Sequence, residues 1–207
     1  MAWHPLMMMQ TDLWREKTMR TFVAVTILAL PAAAQADCVS VADLAEGVRF
    51  HMGEGIYWEL QGQGQDREAQ FQWSPDYPIQ VMDFARGVFM VSLQTPEMDA
   101  PWQAEFAPGV ENSPAPAPGV DWHTRMTTVG GGQRRMDDLH YEWGAAQRLS
   151  LGDCGYDVVP LALHSVPVGG ELAGTTSGYL YFAEFGGVVI THDGFGTRWT
   201  LSGITAR

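Results

Sequence analysis

Residues 48–61 read VRFHMGEGIYWELQ. Val48, Phe50 and Met52 alternate with Arg49 and His51. After Gly53-Glu54-Gly55 the alternation resumes, with Ile56, Trp58 and Leu60 against Tyr57, Glu59 and Gln61. Side chains of a strand point alternately to its two faces, so this period of two predicts a hairpin with one face in a core. A second turn follows at Gly62–Asp66, and Phe71 and Trp73 continue the pattern. Turn residues about every ten positions are the mark of an all-β meander.

Downstream the theme repeats. Gly87–Leu93 is apolar on both faces and reads as a central strand. Further strands are expected at Trp122–Val129, Asp138–Trp143, Tyr156–His164 and Tyr179–Glu184. Gly186-Gly187 predicts a hairpin into Val188–His192, and Asp193–Gly196 a turn into a strand over Trp199–Ile204. About nine to eleven strands result by the turn-spacing rule. One short helical turn is expected over Asp43–Glu46, capped by Ser40 and stopped by Gly47. The expected fold is all-β, an antiparallel meander forming an open barrel or sandwich with one short N-terminal helix.

Before this region lies an address. Phe22–Leu30 (FVAVTILAL) is an uncharged apolar run, preceded by Lys17 and Arg20 and followed by PAAAQA to Ala36. A positive start, an apolar middle and a small-x-small ending are the parts of a secretory signal peptide. The run is shorter than the about 20 apolar residues of a membrane span. The expectation is a signal peptide over 1–36, with the start at Met1 or Met19, and one periplasmic all-β domain over 37–207. No integral membrane span remains after cleavage.

Composition narrows the function classes. The chain has 207 residues, 46% hydrophobic and 17% charged, enough apolar material for a core. Removing Arg15, Lys17 and Arg20 with Asp12 and Glu16 leaves nine cations and 22 carboxylates, a net charge of −13 over residues 37–207. That excludes a nucleic-acid partner, which needs a basic stripe, and simple docking on anionic lipid. All nine cations are arginine; with one Lys and one Asn in the whole chain, this reads as composition bias.

Cys38 and Cys154 are the only cysteines. In an oxidising compartment an even pair predicts a disulfide, with a loop-closure contribution of roughly 4–5 kcal/mol. Neither CxxC nor a Cys/His cluster supports metal or redox chemistry.

Residues 95–120 carry Pro96, Pro101, Pro108, Pro114, Pro116 and Pro118. Proline lacks the N–H a strand needs, so this stretch is expected to be a Pro-rich excursion without regular pairing. Trp102 and Phe106 within it either cap an apolar cavity or anchor the loop.

Chemistry-bearing motifs are sparse. No GxSxG elbow, HxH or HExxH occurs, and Ser177 lacks a nucleophile's context. The glycines at 62, 64 and 130–132 lack the helix that a phosphate loop requires, and the acidic pair Asp137-Asp138 is not part of an EF-hand. Asp121-x-His123 and Asp138-x-His140 each place a carboxylate and an imidazole on one side of a strand, the alternative being a hydrolase or metal enzyme. His51, His164 and His192 complete the histidines beyond residue 36. No cofactor motif is present. The aromatic residues Trp58, Trp73, Trp102, Trp122 and Trp143 are the candidate binding residues, with Trp199, Tyr57, Tyr141, Tyr179 and Tyr181 as neighbours in composition; they either line a cavity or fill the core.

The stretches Asp37-Cys38, Asp43–Phe50 (DLAEGVRF), Leu151–Tyr156 (LGDCGY) and Gly178–Tyr181 (GYLY) resemble small, uncharacterised exported proteins of Gram-negative bacteria. At fold level the meander is also similar to the open-barrel lipoprotein carriers of the Lol type, from which it departs in offering one short helix where those carry helices plugging the barrel. The reading favoured is a soluble periplasmic, non-enzymatic protein that binds a hydrophobic small molecule or an envelope partner. A structural envelope component is the remaining alternative.

Overall fold

The computed structural model describes residues 38–169 and 173–207. The expected leader over 1–36, its cleavage site and Asp37 lie outside the described residues. Val41–Ala45 forms a single 3-10 turn. The Ser40 N–H donates to Asp43 Oδ2 at 2.8 Å, and the Asp43 N–H donates back to the Ser40 carbonyl at 3.1 Å. Two donors are thereby satisfied reciprocally, as in a capping box.

Strands then follow in close succession: β1 (Val48–Gly53), β2 (Ile56–Gln61), β3 (Arg67–Gln72), β4 (Gln80–Ala85), β5 (Phe89–Gln94) and β6 (Trp102–Ala107). The second half supplies β7 (Asp121–Gly130), β8 (Gln133–Trp143), β9 (Gln147–Leu151), β10 (Cys154–Pro167), β11 (Thr175–Phe182), β12 (Gly187–His192) and β13 (Gly203–Ala206). All pair antiparallel in one unclosed 13-stranded sheet, ordered β12-β11-β10-β8-β7-β6-β5-β4-β3-β2-β1-β13, with β9 as a spur on β10. The doubly apolar stretch at 87–93 is indeed central.

Two expectations need correction. The Pro-rich excursion contains a strand: β6 lies between Pro101 and Pro108 and pairs with β7 from Gln103↔Val129 to Ala107↔Arg125. The prolines bound the pairing rather than prevent it, because none falls inside the paired residues. The rest is clamped by Arg86, whose Nη1 donates to the carbonyls of Val110 (3.1 Å) and Ser113 (2.8 Å). The last strand also starts later than Trp199. Residues 199–202 cross from β12 to β1, and only Gly203–Ala206 pairs, from Val48↔Ala206 to His51↔Gly203. Trp199 is held back by an edge-to-face contact with Phe71, ring centroids 5.2 Å apart.

The sheet curls until its β11–β12 end meets β1–β3 through side chains. Phe50 packs on Phe182 at 4.7 Å and on Phe185 at 5.8 Å. Arg67, buried inside the curl, donates from Nε to the Phe185 carbonyl at 2.8 Å. At Gly87, φ is +67° and a Cβ would overlap the Gly186 carbonyl, so only glycine lets the two turns touch. The Cys38–Cys154 disulfide, with Cα atoms 5.7 Å apart, fastens the segment before the 3-10 turn to the start of β10.

Candidate functional site

Strand parity decides what faces the inside of the curl. On β5 Met90 turns inward, and on β7 Met126 does; on β8 the inward set is Arg135, Asp137, Leu139 and Tyr141. Three cavities lie along this surface. One of about 200 Å³ is walled by Met90, Leu93, Trp102, Met126, Arg135 and Asp137. A second, about 80 Å³, lies among Phe84, Met90, Met126, Leu163 and Tyr179. The third, about 320 Å³, is bounded by Trp58, Trp73, Met90, Tyr179, Phe195 and Trp199. Met90, a flexible thioether, borders all three; Met126 and Ser165 are shared by the first two, and Phe84 and Tyr179 by the last two.

The first cavity opens where the sheet is weakest. β5 and β6 pair only at Ser92↔Gln103 and Leu93↔Trp102, whereas β6 and β7 pair at five positions. Beyond Ser92 the strands splay toward Phe89 and Ala107. Trp102 stands at this mouth with its indole across Gly130, where a Cβ would collide with the ring. At the far mouth Phe195 is 93% exposed. Asp193 holds that turn by accepting the N–H groups of Phe195 (2.9 Å) and Thr197 (2.8 Å). Burial works to raise the Asp193 carboxyl, but these backbone donors bring it net below the usual carboxylate range.

Two polar side chains with acid or base character, Asp137 and Arg135, border the first cavity. Asp137 is 1% exposed. Its Oδ1 accepts from Arg135 Nε (3.0 Å), Arg135 Nη2 (2.7 Å) and Ser165 Oγ (3.2 Å). Its Oδ2 takes no hydrogen bond among the described residues.

Burial also tunes the phenols of the wall. Tyr179 is pushed up to about 12, chiefly by burial and also by the Asp193 carboxylate, against a hydrogen bond with Ser177. Burial pushes Tyr141 up as well. A raised folded value means the unfolded chain loses its phenol protons first. The contribution is therefore fully present below pH 10 and is lost as pH rises through about 12. Urea midpoints are expected to hold up to that lower limit and fall above it, with phenolate absorbance appearing together with unfolding. Phenolate absorbance developing fully in folded protein near pH 10 would contradict the burial.

Of the five candidate tryptophans, Trp58, Trp73 and Trp102 line these cavities. Trp122 instead packs among Phe89, Phe106 and Tyr141, and Trp143 packs edge-on to Tyr181, with ring centroids 5.6 Å apart. Met90, Met126 and Asp137 were not singled out by sequence reasoning. Strand parity from Leu139 and Tyr141 was the signal for Asp137.

No protein-family model matches the chain, and no curated protein matches it in sequence. Among solved structures, the hypothetical lipoprotein YmcC from Escherichia coli is similar with a TM-score of 0.40 and 10% identity, over 69% of this chain and 75% of that chain. That likeness is too distant to assign a family or a function. The plug helices of the Lol-type carriers have no counterpart among the described residues, where the helical elements are two 3-10 turns.

The Asp/His pairs are re-sorted by the fold. Cross-strand neighbours sit closer than residues i and i+2 on one strand. Asp138 therefore pairs with Arg125, directly opposite it, at 2.8 Å, while Asp121 meets His140 only on the diagonal, 3.8 Å from its Nε2. His123, His140 and His164 form a row across β7, β8 and β10, with ring centroids 4.0 and 5.4 Å apart. His164 adds Thr176 Oγ1 at 3.0 Å and Glu142 at 3.4 Å. His51 lies apart, against Thr205, and His192 covers Gly178. None of the three cavities is lined by a histidine. Among the described residues no group of three or more His, Cys, Asp or Glu is set to hold a metal ion. No helix among them is long and apolar enough to cross a membrane.

Proposed function

We propose that the chain is an exported periplasmic, non-enzymatic binding protein whose single all-β domain, residues 37–207, takes a hydrophobic small molecule inside the curled sheet. The observation that carries this reading is the run of three cavities bordered in common by Met90. Small shifts of that side chain and of the other shared walls join them into a space of the size that drug-sized or lipid-like ligands occupy. Trp58, Trp73 and Trp102 are the binding aromatics. The leader over 1–36 supplies the route to the periplasm.

The test uses delipidated protein and N-phenylnaphthylamine, a neutral apolar fluorophore. Saturable binding with energy transfer from tryptophan is expected, together with a rise in Tm. Met90→Trp, which enlarges the wall shared by all three, is expected to weaken binding at least tenfold while leaving a cooperative unfolding transition. Absence of saturable binding in the wild-type protein would falsify the reading.

A further inference from the structure

The cavities define not only an apolar ligand but the head group it carries. Asp137 is a carboxylate held inside an apolar curl with one oxygen satisfied and the other free. Oδ2 accepts no hydrogen bond among the described residues and its residue borders the cavity, so a ligand donor placed there gains a charge-assisted hydrogen bond. Arg135 uses Nε and Nη2 on Oδ1, while its Nη1 makes no hydrogen bond among the described residues. Both residues border the cavity beside the splayed β5–β6 mouth.

Oδ2 as acceptor and Nη1 as donor thus call for a donor and an acceptor from a ligand, at one end of a space walled by Met90, Leu93, Trp102 and Met126 with Ser92, Gln103, Thr128 and Ser165 among them. A hydroxyl or an amide supplies both. An anionic head suits the arginine, whose half-exposed side chain is already hydrated, but brings a second negative charge against the buried carboxylate of Asp137. Resting on the binding reading above, we infer that this end is a head-group subsite for a single-chain amphiphile with an uncharged hydroxyl or amide head. Its chain runs past Met90 and Met126 toward Tyr179.

Two probes with the same acyl chain separate the alternatives: monolauroylglycerol, with an uncharged diol head, and ionised laurate. In competition against N-phenylnaphthylamine on wild-type protein, the glyceride is expected to displace the dye at about tenfold lower concentration, one buried charged hydrogen bond's worth. Asp137→Asn removes the charge and leaves Arg135 uncompensated, so the preference is expected to vanish or reverse toward laurate. Equal binding of both probes to wild-type protein, or tighter binding of laurate, overturns the head-group assignment while the apolar cavity stands. Failure of the dye and both probes to bind removes the cavity reading and this inference together. Should Asp137→Asn not fold, the wild-type comparison still decides.

Discussion

Replacing Arg49 and Arg207 together by alanine is expected to lower stability by about 3–5 kcal/mol, more than Glu59→Gln costs. Glu59 is fully buried on β2. Its Oε2 accepts from Arg49 Nη2 at 2.6 Å and its Oε1 from Arg207 Nη1 at 2.8 Å. Arg49 also lies over the Tyr57 ring, 4.0 Å from its centroid. The asymmetry follows from where each charge can go. Both arginine side chains are partly exposed, so losing the carboxylate leaves cations that still reach water. Losing both cations strands a carboxylate with no water to turn to. Chemical denaturation of the double variant and of Glu59→Gln gives the comparison. A double variant as stable as wild type would mean that Glu59 is solvated in solution.

The second large effect concerns the disulfide. Cys38 and Cys154 are 116 residues apart, and a cross-link over so long a loop removes much chain entropy from the unfolded state. Cys38→Ser/Cys154→Ser is expected to lose about 2–5 kcal/mol relative to the oxidised protein, and reduction of the wild type should cost a similar free energy, seen as a lower Tm. Wild-type protein should show no free thiol until denatured in reductant. Equal Tm values with and without reductant would show that the bond does not stabilise the native state.

How far the sequence carried the reading depends on whether a signal was local. Alternation over 48–61 and the glycine turns are local, and they specified the meander before any contact was known. The place of β5 in the middle of the strand order was equally legible, from the uninterrupted apolar run over 87–93. β6 was hidden because the prolines flanking it dominate a composition-based reading, while the paired residues 103–107 hold none. The histidine row was hidden for another reason. His123, His140 and His164 are brought together by register, and register across three strands is not written in any one of them. In the sequence Asp137 is legible only together with Asp138, as an acidic pair outside any EF-hand pattern. Opposite parity sends Asp138 out to Arg125 and Asp137 inward to Arg135 and Ser165. The cavities could not be foreseen, because an internal void is a property of how whole faces fail to fill the space between them.

The pairing of β1 with β13 carries a kinetic implication for a chain synthesised from its N-terminus. His51 and Thr205, hydrogen-bonded side by side, are 154 positions apart. Contacts of such high order slow folding, since the entropy of ordering the intervening chain is spent before the contact forms. The first strand delivered is thus left with an open edge until nearly the last residues arrive. During that interval the backbone N–H and C=O groups of β1 that later pair with Gly203–Ala206 have no strand partner on that side.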